Sequence, residues 1–339
     1  MKNIKPISWI IGSTVLLLVV ATLSLLWGQY PITLETLIGY LQFKVLGGVG
    51  NDTYTLLDNI ILQIRLPRVL LAILIGSALA TSGAAFQAMF VNPLVSPGIL
   101  GVLAGASFGA AMGMLISEQW YVVQLLAFAF GFVAVGVAVL IGTMVTNSRS
   151  TVMLVLGGVI SSALFTSLLS IIKYLADPYS TLPAIVYWLM GSLTMADLHG
   201  VLLISIPMLV SVIGMIVLGK YFDLMSLGDE EAKALGINVT MIRLGAIILA
   251  TLASSLSVVM AGIIGWIGLI IPHIIRMAVG PSHRLLMPLS AIVGGAFLLL
   301  ADTISRLAFT VEVPIGILTS LIGIPVFIIV LKNARAAWN

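Results

Sequence analysis

Three arginines, Arg65, Arg68 and Arg306, stand at the ends of long apolar segments. Arg65 and Arg68 are three residues apart, so on a helix they share one face. A guanidinium group presents a planar fork of N–H donors that fits a carboxylate. The pattern is consistent with docking of acidic residues from an external partner. Two alternatives stay open: the arginines extend toward lipid headgroups, or Arg306 pairs with Asp302 at a spacing of i,i+4.

Asp302 is an acidic residue within an apolar segment, about one turn from its end. An unpaired acid at the centre of a membrane helix costs about 2.5–3.5 kcal/mol, and a position near the end lowers that cost. One interpretation makes Asp302 and His273 a proton relay. A lone acid without a dense acid–histidine chain supports this poorly, so we expect a structural bond from Asp302 to Arg306 or to a neighbouring helix.

A proline-rich turn follows the second apolar segment, with the sequence Asn92-Pro93-Leu94-Val95-Ser96-Pro97-Gly98. Proline removes a backbone donor and disfavours helix in the residue before it, so the connection is stiff. The turn is interpreted either as a gate at the mouth of a pathway or as an ordinary tight helix hairpin.

The loop 220–238, KYFDLMSLGDEEAKALGIN, is strongly polar yet carries Leu and Met. We predict two short helices separated by a glycine break, one from Asp223 and another that is capped by Gly228 or Asp229 and ends at Gly236. Apolar side chains have little reason to sit in an exposed loop unless a partner covers them. We therefore expect this amphipathic segment to lie in a groove on a soluble protein.

Several kinds of chemistry have no residues to carry them. The chain has no cysteine, its three histidines form no HExxH pair, and no GxxxxGK[ST] motif occurs. Thiolate metal sites and a P-loop are thereby excluded, and a metalloenzyme is disfavoured. We predict no catalytic residue, no metal and no cofactor, and any ATP-driven motion must come from another subunit. The net charge of +3 reflects basic residues that cap helices at a membrane surface, not a nucleic-acid site.

The composition is that of a membrane protein. Of 339 residues, 60% are hydrophobic and 8% are charged, against about 25% charged in a soluble domain. We predict an all-α bundle of about ten transmembrane helices that forms one domain over residues 1–339. The predicted spans are 8–27, which we expect to be retained, 67–90, 96–116, 121–145, 152–172, 200–219, 239–260, 262–277, 286–305 and 315–331.

An even number of spans places both termini on the same side of the membrane. Lys and Arg are enriched in cytoplasmic loops. With cytoplasmic termini, the inner side carries Lys2, Lys5, Arg149, Lys220, Lys233, Arg243, Arg276, Arg284, Lys332 and Arg335. The outer side then carries Lys44, Arg65, Arg68, Lys173 and Arg306. This bias predicts that both termini and the loop 220–238 are cytoplasmic.

Small residues are spaced to allow close helix contact. Gly76, Ala80, Gly83 and Ala84 lie at spacings of three and four, and Gly101, Gly105 and Gly109 recur every four residues. Flat faces of this kind let helices approach closely in lipid. We favour packing within the chain over a dimer contact.

Six stretches resemble the FecCD-type permeases, the membrane subunits of ATP-binding-cassette importers for iron–siderophores, haem and vitamin B12. They follow the family's order from about residue 8 to 331, and Trp266 is one departure, where the family commonly has Phe. The stretches are RLPR at 65–68, SGAAFQAMFVNPLVSPGILG at 82–101, LGDEEAKALGI at 227–237, GIIGWIGLIIPHIIR at 262–276, ADTISR at 301–306 and VPIGILTSLIGIPVF at 313–327.

The resemblance implies a homodimer in a bacterial or archaeal plasma membrane, with the translocation path along the dimer axis. It also implies two ATPase subunits on the cytoplasmic side and a substrate-binding protein on the other, with no enzymatic activity in this chain. By position, Arg65, Arg68 and Arg306 match the family's pocket for glutamates of the binding protein.

The resemblance also implies two cytoplasmic sites. The gate region is matched by Asn92, Leu94, Ser150 and Thr151. The coupling segment that rests in a cleft of the ATPase is matched by residues 223–236. Its matching residues are Asp223, Leu224, Leu227, Gly228, Glu231, Ala232, Leu235 and Gly236.

We expect the pathway to be lined by uncharged polar residues of the fifth span, namely Ser161, Ser162, Thr166 and Ser170. This lining suits a siderophore complex, haem or cobalamin, and an oxyanion such as molybdate is the alternative cargo. A proton-driven secondary transporter and a receptor or scaffold without flux are further alternatives, and the full-length resemblance argues against both.

Overall fold

The computed structural model describes residues 6–46, 52–144, 151–308 and 311–336, and this part of the chain is helical with no strand. A π-helix at Asn59–Arg65 runs into α4, and a 3₁₀ turn at Pro97–Leu100 precedes α5. The α-helices are α1 (Pro6–Leu26), α2 (Leu34–Leu46), α3 (Asp52–Asp58), α4 (Leu66–Met89), α5 (Val102–Ile116), α6 (Trp120–Met144), α7 (Thr151–Leu175), α8 (Thr181–Leu189), α9 (Leu198–Met225), α10 (Asp229–Ala234), α11 (Val239–Ala261), α12 (Ile267–Val279), α13 (His283–Leu307) and α14 (Ile315–Ala336).

The predicted spans are confirmed as apolar helices. Among the described residues, seven helices are long and apolar enough to cross a membrane, and three shorter apolar helices (α5, α12 and the greater part of α14) account for the others. The short α5 and α12 each follow a non-helical stretch, the turn after α4 and residues 262–266 respectively. The chain is therefore a multi-pass membrane protein.

Helix α4 lies at the centre of the bundle and packs against α9, α11, α12 and α13. A Cβ atom at Gly76 would overlap the carbonyl oxygen of Gly294 on α13, and one at Gly83 would overlap that of Gly268 on α12. The predicted small-residue face thus packs within the chain, backbone against backbone. Gly105 makes the same kind of contact with the carbonyl of Phe130 on α6.

The segment 220–238 differs from the prediction in its first half. Helix α9 continues through Asp223 and Leu224 to Met225, so no separate short helix begins at Asp223. The helix continues because Phe222 and Met225 are buried and extend its packed face. The chain then breaks at Gly228, whose φ of +123° favours glycine, and α10 follows as predicted.

Candidate functional site

At one end of the bundle, Asp302 of α13 is fully buried between two arginines. Its Oδ1 atom accepts a hydrogen bond from Nε of Arg68 at 2.8 Å, and its Oδ2 atom accepts one from Nε of Arg306 at 3.1 Å. The predicted i,i+4 pair of Asp302 and Arg306 is confirmed. Arg68 on α4 is a second partner, which offsets the cost of burying the carboxylate.

Each of these arginines also binds a further element. Arg68 forms a bidentate pair with Glu312, with N–O distances of 3.1 and 2.9 Å. Arg306 donates to the hydroxyl of Ser24 at 2.7 Å. The cluster therefore joins α1, α4, α13 and the segment before α14. Glu312 was not identified from the sequence, although an acid six residues after Arg306 is a usable signal.

Arg65 serves a different purpose at the same end. Its guanidinium group donates to the backbone carbonyls of Leu25, Leu26 and Tyr30, at the C-terminal end of α1 and just beyond it. These carbonyls have no intrahelical donors, so a cation here both satisfies them and complements the helix dipole. Arg65 is 5% exposed. All three arginine forks are thus engaged within the chain.

Glu312 is the more accessible acid of this cluster. Its side chain is 32% exposed, whereas that of Asp302 is 0% exposed. Within this cluster three arginines face two carboxylates, so the cluster itself carries one excess positive charge. Glu312 is the carboxylate that an acidic partner could replace most easily.

At the opposite end, α10 is held against α11. Arg243 contacts both carboxylate oxygens of Asp229 at 3.0 and 3.1 Å, and Ala232 is fully buried. Leu227 and Leu235 flank this anchored turn and are 61% and 60% exposed. Glu231 and Gly236 are also exposed, and Gly236 has a φ of +80°. Of the apolar residues in this segment, Leu227 and Leu235 therefore face outward, whereas Met225 and Ala232 are buried within the chain.

Asp223 is engaged inside the chain rather than displayed with this surface. Its carboxylate accepts hydrogen bonds from the backbone N–H of His283 at 2.6 Å and from the hydroxyl of Ser282 at 3.2 Å. Nδ1 of His283 lies 3.0 Å from the same carboxylate. Asp223 therefore fastens the end of α9 to the start of α13. His283 gave no signal in the sequence, because 60 positions separate it from Asp223.

The predicted gate residues lie at two helix ends. The side-chain oxygen of Asn92 accepts a hydrogen bond from the N–H of Leu94 at 2.9 Å, which stiffens the turn after α4. Leu94 is 52% exposed. Thr151 begins α7 and is half-buried. Ser150 lies outside the described residues.

The predicted pathway residues on α7 do not share one face. Ser161 is fully buried and donates to the carbonyl of Ala134 at 2.7 Å, so it packs α7 against α6. Ser162 is half-buried, whereas Thr166 and Ser170 are exposed. The exposed face therefore carries Thr166 and Ser170 without Ser161, because positions 161 and 166 point about 140° apart around a helix.

The described part of the chain contains no group of three or more His, Asp or Glu side chains that could hold a metal ion. The two ends of the bundle instead offer charged and apolar contact surfaces.

Known proteins that are similar to this chain are membrane permeases. The molybdate import system permease protein MolB of Haemophilus influenzae is 37% identical, over 97% of this chain and 96% of its own. The hemin transport system permease protein HmuU of Yersinia pestis is 37% identical, over 87% of this chain and 89% of its own.

A solved structure provides the same result at the level of the fold. An inward-facing conformation of an ABC transporter assigned to the metal-chelate type superposes with a TM-score of 0.85 at 35% identity, and covers 96% of this chain and 98% of its own. The sequence profile of the FecCD transport family matches residues 16–333. This chain belongs to the FecCD transport family and is a membrane permease.

Proposed function

We propose that this chain is the permease subunit of a binding-protein-dependent ABC importer for a metal chelate of the iron–siderophore, haem or cobalamin class. Two copies form the path, and ATP is hydrolysed on a separate subunit. The observation that carries the proposal is the arrangement of α13. One of its ends is fastened to the α9–α10 segment through His283, and the other carries Asp302 and Arg306.

Helix α13 is suited to couple the two ends. From His283 to Asp302 it rises about 28 Å, close to the hydrocarbon thickness of a bilayer. A displacement of α10 reaches α9 directly and α13 through Asp223. Movement at the ATPase side is thereby transmitted to the arginine cluster, where the binding protein docks.

On the cytoplasmic side, Leu227 and Leu235 are the contacts proposed to enter a cleft of the ATPase. The anchoring of α10 by Arg243 and Asp229 makes this turn a stiff element, so that it transmits displacement instead of absorbing it. Apolar anchors of this kind dominate binding energy at protein interfaces.

On the outer side, we assign docking of the binding protein to Arg65, Arg68 and Arg306. An incoming glutamate replaces Glu312 on Arg68, because Glu312 is half-exposed and Asp302 is not. Asp302 keeps the two inner arginine nitrogens in place during the exchange. Docking then breaks the ion pair between Arg68 and Glu312 and forms one between Arg68 and the partner's glutamate. Because one ion pair replaces another, capture is readily reversible.

The cargo is the finer part of the proposal. The exposed face of α7 offers hydroxyl groups at Thr166 and Ser170 between apolar residues such as Val159 and Ile160. Such a face suits a bulky chelate that carries both apolar and polar groups. Molybdate is the second candidate, because a molybdate permease matches nearly the full length of this chain.

The test is uptake by the assembled transporter. The chain is reconstituted in vesicles with the ATPase and binding protein encoded beside it, and ⁵⁵Fe-siderophore, haem, cobalamin and ⁹⁹Mo-molybdate are compared. ATP-dependent accumulation of a chelate is expected. Accumulation of molybdate alone selects the second candidate. Uptake that needs no ATPase and is abolished by a protonophore would overturn the proposal.

A further inference from the structure

A cavity of about 630 Å³ is lined by residues outside α13, α4 and α10. It is formed where α5 and α11 end and where α6 and α9 begin, and α8 closes one side. Its volume is within the range of small-ligand sites, about 300–1,000 Å³. The residues that decide its chemistry are Trp120, Gln124, Tyr187, Trp188, Asp197 and Leu203.

The position of the cavity is that of a membrane interface. Trp120 is the first residue of α6, Ala261 is the last of α11, and Leu198 begins α9. Membrane-spanning helices end where the hydrocarbon meets the headgroups, and Trp and Tyr concentrate at this level. A ligand in this cavity therefore lies at the depth of a lipid headgroup.

The electrostatics of the cavity favour a cation. Among the described residues that line it, Asp197 is the single carboxylate, His199 is the single histidine, and no Lys or Arg is present. Oδ1 of Asp197 caps α9 by accepting from the N–H of Gly200 at 2.8 Å, and the exposed side chain retains further lone pairs. Trp120, Tyr187 and Trp188 add aromatic rings, which attract an ammonium group.

The same cavity is also lined by hydrogen-bond donors that could bind a phosphate group. The hydroxyls of Ser192 and Thr194 are 2.8 Å apart, so one of their two protons satisfies this pair and the other is available. The amide of Gln124 reaches only the sulfur of Met260, at 4.0 Å, which is a weak acceptor. The cavity therefore pairs one acidic group with several neutral donors.

An apolar stripe on α9 begins at the cavity. Leu203 lines it, and Ile206, Val210, Ile213 and Val217 continue at intervals of three and four, each at least 56% exposed. These residues share one face of the helix. A soluble ligand has no use for such a stripe, whereas an acyl chain can lie along it.

We propose that this cavity binds a zwitterionic phospholipid with a primary amine headgroup, of the phosphatidylethanolamine class. The ammonium group binds Asp197 among the aromatic rings, the phosphate accepts from Gln124 and the Ser192–Thr194 pair, and one acyl chain follows the stripe from Leu203. The inference does not depend on the transported cargo, since it concerns the permease chain alone.

The test is lipid competition on the purified full-length chain. The delipidated protein in detergent is titrated with equal amounts of dioleoyl phosphatidylethanolamine, phosphatidylcholine and phosphatidylglycerol, and bound lipid is counted by native mass spectrometry. We expect phosphatidylethanolamine to be retained about tenfold better than phosphatidylglycerol, from one charge-assisted hydrogen bond. Asp197→Asn should remove this preference, because asparagine keeps the helix cap but loses the charge.

Asp177→Asn is the matched control. Asp177 also accepts local hydrogen bonds, from the N–H groups of Tyr179 and Ser180, and it lies outside the cavity. Tyr187→Leu is a second cavity variant, which should weaken retention without altering the cap. Equal retention of phosphatidylcholine or phosphatidylglycerol, unchanged preference in Asp197→Asn, or displacement of the lipid by haem or a metal chelate would each overturn the proposal.

Discussion

Arg68 and Asp302 are 234 positions apart in the chain, yet Nε of Arg68 lies 2.8 Å from Oδ1 of Asp302. The pair joins α4 to α13 beside the backbone contact of Gly76 with Gly294 on the same two helices. Because both side chains are at most 9% exposed, this ion pair is shielded from water and salt, unlike a surface salt bridge.

Removing the buried carboxylate should be far more harmful than removing the half-exposed one. Asp302→Asn leaves buried Arg306 without a carboxylate partner and leaves Arg68 with Glu312 alone, which is expected to cost about 3–5 kcal/mol. Glu312→Gln should cost about 1 kcal/mol or less. Thermal unfolding of the two variants in the same detergent measures the difference. Equal losses would show that Asp302 is less important to the fold than its burial indicates.

Charge reversal at the arginines should weaken capture of the loaded binding protein. Arg65→Glu and Arg306→Glu place a negative charge where acidic residues of the partner dock, so we expect a loss of at least about tenfold in affinity. Binding to nanodisc-embedded transporter is measured, with Lys173→Glu as the control at a basic residue outside the cluster. If variants that still bind the ATPase also capture the binding protein normally, the arginines have a structural role alone.

Exposed leucines beside α10 should be required for ATPase association. Leu227→Asp and Leu235→Asp alter side chains that are more than half exposed, so the fold should persist while co-purification of the ATPase falls about tenfold or more. Tyr179→Asp, at a residue 93% exposed in the loop between α7 and α8, is the control. Normal co-purification of the ATPase with both leucine variants would show that Leu227 and Leu235 do not form the ATPase contact.

Acid should loosen the segment formed by α2 and α3. Hydrogen bonds from Lys44 and Tyr40 hold the pKa of Asp58 below its ordinary value of 3.8. A carboxyl whose pKa is lowered in the folded state stabilises above its unfolded pKa, and that stability is lost as pH falls through the folded value. The protection of the amides of 34–46 against hydrogen exchange, relative to the intrinsic exchange rate at each pH, should therefore fall below about pH 4. Asp58→Asn should exchange faster already at neutral pH and lose this pH dependence.

Labelling of single cysteines should establish the orientation, because the native chain has no cysteine. Ser226→Cys next to α10 should react with a membrane-impermeant maleimide only from the cytoplasmic side. Tyr179→Cys should react only from the other side. Intact cells and inverted vesicles are compared, and the reverse pattern would contradict the charge-based topology.

The sequence was sufficient for the helices but not for most of their contacts. Hydropathy predicts each membrane span because lipid requires about 20 apolar residues in a row. The pair of Asp302 and Arg306 follows from a spacing of four on one helix. The pairs of Asp302 with Arg68, and of Asp223 with His283, depend on how distant helices pack, which no local pattern encodes.

Two errors have physical causes that the sequence does not show. Ser161 was grouped with Thr166 and Ser170 by residue type, whereas helix rotation and the acceptor at Ala134 turn it inward. The helix predicted to start at Asp223 is the end of α9, because burial of Phe222 and Met225 overrides the polar composition of the loop.

Contact between α4 and its neighbours through Gly76 and Gly83 has a mechanical consequence. Where main chain touches main chain, no side chain is available to change rotamer and absorb a shift, so we expect α4, α12 and α13 to move as one rigid block. Any change of shape must be taken up at its borders. Residues 262–266 are such a border: Gly262 and Trp266 both have positive φ, and a tryptophan in that region stores strain that a rotation of the block can release.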